Sequence, residues 1–308
     1  MMRIDYSQAA AWHVCPAMWQ EKYQKGIEFD WDAVTGGIGF GRRMHQLLEE
    51  YYAPNAAALY PPSTNEATED EAQRMFAAYK QEYILEALKV LAVETTFEVP
   101  LDPLECPSCK NPLAGFGANG EGLHLRAWKW INDRQDVVEC GWCGELVPLR
   151  HSYTGKVDLI GEDEQGLWIM DHKTEKRGGS GNTAETWATK PQVALYKWAI
   201  GQLWERPVQK ITINVLTRQS EKGLVGPSFS RLEVGKDCVM VQEAVQDLVW
   251  VADTIKSMQR TFRKTPWPKD RDRCKVYNSK CQYYDLHLFG ESDEIMKKFK
   301  PVEKYLGL

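Results

Sequence analysis

Asp158, Asp171 and Lys173 are the residues of this chain whose types and spacing suit a defined chemistry. They fall in the stretch Gly155–Lys176, GKVDLIGEDEQGLWIMDHKTEK. It reads as a hairpin, with one strand over Tyr153–Ile160, an acidic glycine-containing turn over Gly161–Gly166, and an apolar strand over Leu167–His172. Side chains alternate along a strand, so Asp171 and Lys173 share a face. An antiparallel partner can bring Asp158 beside them at one sheet end. Paired carboxylates hold Mg²⁺ or Mn²⁺ through hard oxygen ligands. A neighbouring ammonium orients or activates water and offsets charge on a phosphodiester. A bare D-x-K also occurs at ordinary solvated strand ends. Here it follows an apolar run, and a G-x-V-D strand precedes it.

In that context the chain resembles the PD-(D/E)XK nuclease superfamily, and within it the RecB-like branch. "GKVD" is similar to that branch's second motif and "DHKT" to its third. Gly41 to His45, G-x-x-x-H, resembles the first motif, and Gln192 to Tyr196, Q-x-x-x-Y, the fourth. The four follow one another in the family's order. The resemblance implies that His45, Asp158 and Asp171 bind the cation, with the carbonyl of His172 as an extra ligand. It implies that Lys173 positions the attacking water, and that Gln192 and Tyr196 orient the strand. Glu94 stands where RecB-like proteins often carry an acidic residue, although a charge at a strand start is also commonplace. Arg42 and Arg43 are of a type to contact phosphate, or equally to form a solvated helix face.

Eight cysteines in a chain expected to be cytoplasmic point to metal ligation over disulfides. Cys106–Cys109 and Cys140–Cys143 are two C-x-x-C pairs, each resembling a zinc-ribbon knuckle, in which a tight turn lets two thiolates grip one Zn²⁺. Their separation requires a longer hairpin or loop over Trp128–Asp136. Pro103–Pro148 therefore reads as an insertion. A second set is looser. Cys15, Cys274, Cys281 and His287 resemble the ligands of iron–sulfur RecB-like nucleases, CRISPR-associated and phage members included, where an early cysteine joins three late ones on a [4Fe–4S] cluster. His287 departs from that pattern by standing where a cysteine is expected. A cluster with one imidazole ligand, a Zn²⁺ ion and a metal-free remnant all stay open.

These residues need elements to carry them. Ser7–Lys25 reads as one helix, capped by Asp5 or Ser7, with Cys15 inside it. Gly36–Tyr52 is a glycine-rich entry into an amphipathic helix bearing His45. It is not a P-loop, since no G-K-[ST] follows. Pro54–Thr68 is a polar loop, Glu69–Val93 a long amphipathic helix, and VETTFEVPL a strand. The Gly/Ser/Asn-rich loop Arg177–Thr186 could close over a nucleic-acid strand, or be a plain loop. A helix with Pro191 in its first turn carries Gln192 and Tyr196. Strands over Lys210–Leu216 and Ser228–Val234 and a helix over Asp237–Phe262 follow, with Cys238 as packing. Arg260–Gly290 interleaves Arg263, Lys264, Lys269, Arg271, Arg273, Lys275 and Lys280 with Trp267, Tyr277, Tyr283 and Tyr284. That composition suits a groove for single-stranded nucleic acid, or a charged surface turn.

The expected fold is α/β, a restriction-endonuclease-like mixed sheet flanked by helices, with an inserted zinc ribbon and a C-terminal Cys-rich metal-binding region. The blocks are 1–102 (N-terminal helices and the start of the core), 103–148 (ribbon), 149–262 (catalytic core) and 263–308 (basic Cys-rich tail). At 308 residues the chain can bury a large core, and its formal charge of −5 means that nucleic acid must be met by a local basic groove. No apolar run is long enough for a bilayer, and MMRIDYSQ has no signal-peptide core. The resemblance implies a Mg²⁺- or Mn²⁺-dependent deoxyribonuclease, an exonuclease on DNA ends in recombination, repair or phage DNA processing. It would work in the cytoplasm of a bacterial, archaeal or phage-infected cell, with DNA and a helicase or recombination protein as partners. The alternatives are a non-catalytic DNA-binding adaptor on the same scaffold, a structure-specific endonuclease, and a zinc-ribbon transcription protein.

Overall fold

A computed structural model describes residues 1–30, 37–53, 66–84, 88–103, 105–111, 113, 128–131, 134–175, 183–218, 226–234, 241–263, 265–276 and 279–302. Of 37–38, 128–131, 134–135, 276 and 279 it describes the backbone alone. Cys238, Lys264, Tyr277 and most of the loops Pro54–Thr68 and Arg177–Thr186 lie outside these residues.

In chain order the N-terminal part contains β1 (Met2–Ile4), α1 (Tyr6–Val14), α2 (Pro16–Trp19), a π-helical turn at Gln20–Gln24, β2 (Ile27–Phe29), α3 (Gly37–Tyr52) and α4 (Glu66–Glu82). There follow β3 (Lys89–Asp102), β4 (Trp128–Ile131), β5 (Arg134–Cys140), β6 (Leu146–Pro148), β7 (His151–Asp163) and β8 (Gly166–Glu175). The rest is α5 (Ala184–Ala188), α6 (Pro191–Trp204), β9 (Val208–Thr217), β10 (Ser228–Val234), α7 (Val241–Thr261), β11 (Lys275–Val276), β12 (Ser279–Lys280), α8 (Tyr284–Phe289), α9 (Asp293–Met296) and β13 (Phe299–Pro301).

The chain divides into two compact units. One comprises Met1–Arg3 and Gly39–Val249, the other Ile4–Ile38 and Trp250–Leu308. The first holds a six-stranded sheet in the order β1-β7-β8-β9-β10, with β3 also paired to β7. The pairs β3–β7, β7–β8 and β9–β10 are antiparallel, and β8–β9 is parallel, so the sheet is mixed. A parallel neighbour needs a crossover, and the segment carrying α5 and α6 supplies it. Leu167–Met170 of β8 is buried, which is why that segment is apolar without alternation. Phe40, Met44 and Leu48 of α3 and Met75 and Tyr79 of α4 pack on Leu159, Trp168 and Met170. Tyr196 and Trp198 of α6 pack against Phe97 and Tyr153. This is the mixed sheet flanked by helices that the sequence suggested.

The second unit joins both ends of the chain. β13 pairs with β2, the Trp267 ring stacks on Trp19 with centroids 5.2 Å apart, and the Trp267 backbone N–H donates to Gln20 Oε1 at 3.0 Å. No described helix is long and apolar enough to cross a membrane.

Several sequence expectations need correction. The helix over Ser7–Lys25 is broken at Cys15, which is extended at φ −167° and ψ 118°. Pro16 is the cause, since its ring disfavours helical backbone in the residue before it. Asp5 is the cap, accepting the Gln8 N–H at 2.7 Å. The helix over Glu69–Val93 ends at Glu82, and Lys89 already begins β3. Pairing of Lys89–Val93 with Leu159–Glu162 of β7 overrides the local helical pattern. The central turn is shorter than Gly161–Gly166. It is the pair Glu164–Gln165, with Asp163 Oδ1 accepting the Gln165 N–H and Gly166 at φ +125°. The end of the Arg177–Thr186 segment is helical, with Thr183 capping α5.

Candidate active site

The β7–β8 ladder runs from Asp163–Gly166 to Leu159–Met170 and ends there, one residue short of both aspartates. Beyond it the strands fork. Asp158 Oδ2 accepts the His172 backbone N–H at 2.7 Å, taking the role a ladder carbonyl would play. A buried N–H must find a partner, so this bond fixes the carboxylate as firmly as it fixes the strand.

Glu94 comes from β3. It lies between the pairs Val93–Leu159 and Thr95–Val157, hence opposite Asp158. Its φ is +48°, a left-handed conformation that costs a non-glycine residue about 1–3 kcal/mol and persists only where its surroundings hold it. Lys156 of β7 pairs with its carboxylate. His45 comes from α3, with Nδ1 3.5 Å from Asp158 Oδ1 and 4.0 Å from Glu94 Oε1. Gly41, one turn earlier, explains how α3 comes this close. A Cβ there would meet Thr174 Oγ1 at 2.9 Å, on a stiff β-branched side chain.

Ligand atoms of His45, Glu94 and Asp158 all lie within 4.8 Å of one another. The structure thus brings His45 and Asp158 together and adds Glu94. It turns Asp171 elsewhere, with its Oδ2 2.7 Å from Lys173 Nζ. The electrostatics follow from crowding in a buried place. Burial works against a charged His45, but the Asp158 and Glu94 carboxylates outweigh it and raise its pKa to about 10. Burial also opposes a charged Asp158, yet His45 and the His172 N–H hold its pKa well below the usual carboxylate range. Asp171 is raised to about 6, chiefly by burial, with Lys173 opposing and Asp158 reinforcing. One imidazole and two carboxylates in one small volume make a mixed nitrogen and oxygen donor set that fits a divalent cation, which would take the place of the His45 proton.

The His172 ring is buried away from water, which lowers its pKa to about 3 and keeps it neutral. Its Nδ1 accepts from Asn214 Nδ2 at 2.8 Å, so the ring proton sits on Nε2. Asn214 also donates to the Tyr79 hydroxyl at 3.0 Å, and Tyr52 stacks on the imidazole. This polar network behind β8 seats the residue whose N–H holds Asp158. The Gln192 amide donates to the Tyr196 hydroxyl at 3.0 Å on the first turns of α6, so the fourth motif is linked within itself. Arg43 is not available to phosphate. It is buried and held bidentately by Glu69 at 2.8 and 3.0 Å. Arg42 is exposed.

Cys106, Cys109, Cys140 and Cys143 form the other close group, with all four sulfurs within 4.8 Å of one another. Each knuckle closes the same way. Cys106 O accepts from Lys110 N and Cys140 O from Gly144 N, both at 2.9 Å. Lys110 and Gly144 occupy matching left-handed positions at φ +61° and +74°. β4, β5 and β6 form a three-stranded sheet beside them, which answers the need for a hairpin after Trp128. The Cys106 thiol is lowered to about 7, chiefly by the backbone N–H of Cys109. Four sulfurs in this arrangement fit one tetrahedral Zn²⁺.

The second cysteine set is looser. Cys15 and Cys274 are close enough that each thiolate would raise the pKa of Cys281, although burial contributes more. The Cys281 N–H donates to Cys274 O at 2.9 Å. His287 Nε2 lies 3.5 Å from Glu21 Oε1. Among the described residues these four do not form a single-ion group. Nor are all the nearby aromatics open to bases. Trp267 and Tyr283 are fully buried, and the Tyr283 hydroxyl donates to Ile27 O. Arg271, Arg273, Lys275 and Lys280 are exposed.

Glu94 is the residue that sequence reasoning undervalued. An acid in the middle of the uncharged run Val90–Phe97 was the available signal, but only the register with β7 sets it opposite Asp158. Lys156, Trp187 and Lys190 carried no signal at all.

The family model described as the PD-(D/E)XK nuclease superfamily matches residues 3–285. No curated protein matches this chain. Among solved structures, one described as "Crystal structure of SSO0001" is similar at 8% identity and a TM-score of 0.30, covering 86% of this chain and 88% of that one. A likeness that distant carries no argument.

Proposed function

The chain belongs to the PD-(D/E)XK nuclease superfamily, and from that premise we propose a Mg²⁺- or Mn²⁺-dependent deoxyribonuclease of RecB-like type that degrades DNA from its ends. The observation that carries this reading is the grouping of His45, Glu94 and Asp158 within 4.8 Å, next to the Asp171–Lys173 pair. His45, Asp158 and Glu94 would hold the cation, with Asp171 and the carbonyl of His172 as further ligands. When bound, the cation polarises the scissile phosphate and lowers the pKa of a coordinated water. The protein's own part is positional. Lys173, oriented by Asp171, directs water at the phosphate and balances its charge. The His172 N–H fixes Asp158. Gln192 and Tyr196 orient the strand.

Cys106, Cys109, Cys140 and Cys143 hold a structural zinc in this reading, and 103–148 is a module added to the core. Cys15, Cys274, Cys281 and His287 hold a [4Fe–4S] cluster. A cube of four irons spreads its thiolates further apart than one ion does, which agrees with three cysteines that interact without converging. Anaerobically purified protein should be brown and carry about four irons per chain. A colourless, iron-free preparation would remove the cluster.

The test of the activity uses end-labelled single-stranded and duplex DNA with Mg²⁺ or Mn²⁺, beside closed circular DNA. Cleavage from the ends with the circle left intact is the expected result. A cut circle would make the protein an endonuclease on the same fold. No cleavage of any substrate would leave the non-catalytic adaptor.

A further inference from the structure

We propose that Lys190 is a second cationic contact to the nucleic-acid backbone, gripping a phosphate next to the one that Lys173 faces. This rests on the nuclease reading and adds a residue to it. Trp187 is 5% exposed, and two ammonium groups share its ring. Lys190 Nζ lies 3.5 Å from the ring centroid and Lys173 Nζ 5.6 Å from it. The two charges have different partners. Lys173 has Asp171 at 2.7 Å, whereas among the described residues no carboxylate lies within ion-pair reach of Lys190. An aromatic face offers a cation about 0.5–2 kcal/mol, which does not remove the repulsion of a like charge beside it. An anion lying along both ammonium groups would.

The backbone is built to hold Lys190 in place. Its N–H donates to Trp187 O and its carbonyl accepts the Val193 N–H, both at 3.1 Å. Pro191 opens α6 directly after it, and Gln192, the first residue of the fourth motif, is next but one. The residue is therefore pinned from both sides between the ring that carries Lys173 and the helix face proposed to orient the strand. Burial and the nearby Lys173 lower its pKa while Asp171 opposes them, which agrees with its lying at the edge of the same site. A lysine here acts as a point charge for a phosphate rather than a reader of bases, so its contribution should not depend on sequence.

The experiment measures binding of a short labelled single-stranded oligonucleotide by fluorescence anisotropy, without added divalent cation, over a range of KCl concentrations. Wild type, Lys190→Gln and Lys190→Arg are compared, with thermal unfolding as the check on the fold. Lys190→Gln should bind roughly tenfold more weakly at low salt. Its plot of log affinity against log salt should be shallower by about 0.7, the loss of one phosphate contact on a single strand. Lys190→Arg should restore both. A Lys190→Gln protein with wild-type affinity and slope overturns the contact and leaves the nuclease reading standing. A wild-type protein that does not bind the oligonucleotide overturns the contact as well, and the nuclease reading is then decided by the cleavage assay on duplex ends.

Discussion

Asp171→Ala and Lys173→Ala should each lower single-turnover cleavage of an end-labelled DNA strand by about 10³-fold or more, while the strand still binds. The two residues form one unit, with Lys173 Nζ 2.7 Å from Asp171 Oδ2. Removing Asp171 takes away a carboxylate from the cation's surroundings. It also removes the carboxylate that aims the Lys173 ammonium, next to a second cation at Lys190. Removing Lys173 takes away the group that orients the water, and leaves a carboxylate that is 4% exposed without its counter-charge. Binding survives because phosphate contacts are distributed along the strand, and one lost charge weakens it by a limited factor. Anisotropy binding and single-turnover cleavage on the same preparations separate the two effects. Either variant cutting at the wild-type rate would refute the site. Asp158→Asn should be as severe, for a different reason. It removes an anion that faces His45 and alters the acceptor for the His172 N–H at the strand fork.

Removal of zinc should unfold the module over 103–148 and leave the central sheet in place. Structural zinc supplies about 10–16 kcal/mol of folding free energy in small zinc-binding domains. The strands β4, β5 and β6 form a sheet separate from the central one, and the four thiols of the two knuckles converge beside it, so the ion would tie the two turns to that sheet. Chelation should release about one Zn²⁺ per chain and abolish amide protection in β5 and β6. Protection in β7, β8 and β9 should stay, because their ladder is packed against α3, α4 and α6. Cys140→Ser should reproduce the effect without a chelator. Elemental analysis with hydrogen exchange checks both. A chelated protein with unchanged metal content and unchanged protection would exclude the zinc assignment.

The chemistry was more legible than the geometry. D-x-K after an apolar run, a G-x-V-D strand upstream and the paired C-x-x-C knuckles are local patterns, fixed by alternation along a strand and by tight turns. They single out Asp158, Asp171, Lys173 and the four C-x-x-C cysteines as candidates directly. His45 required an order of motifs rather than a pattern, because a histidine one turn into a helix has no chemistry of its own. Its role became physical only when Gly41 proved to allow α3 against Thr174.

The failures have a common cause. The helical pattern over Glu69–Val93 gave way to a strand because β7 offered Lys89–Val93 a ladder. Trp267 and Tyr283 read as a stacking surface in a basic segment, yet the first is closed off by Trp19 and Gln20 and the second is buried. Arg43 looked free for phosphate until Glu69, from another helix, took two of its three guanidinium nitrogens.

By itself the sequence determined which atoms could bind metal and phosphate, the strand and turn that carry the central carboxylates, and the family to which they point. Spacing along one element suffices for that, since neighbours on a strand or in a knuckle are positioned by backbone geometry alone. Only the tertiary structure decided that Glu94 completes the group with His45 and Asp158 while Asp171 turns to Lys173, and that Lys190 shares a ring with that lysine. Those are encounters between residues far apart in the chain, set by strand register and helix docking, and no local rule encodes a distance across elements.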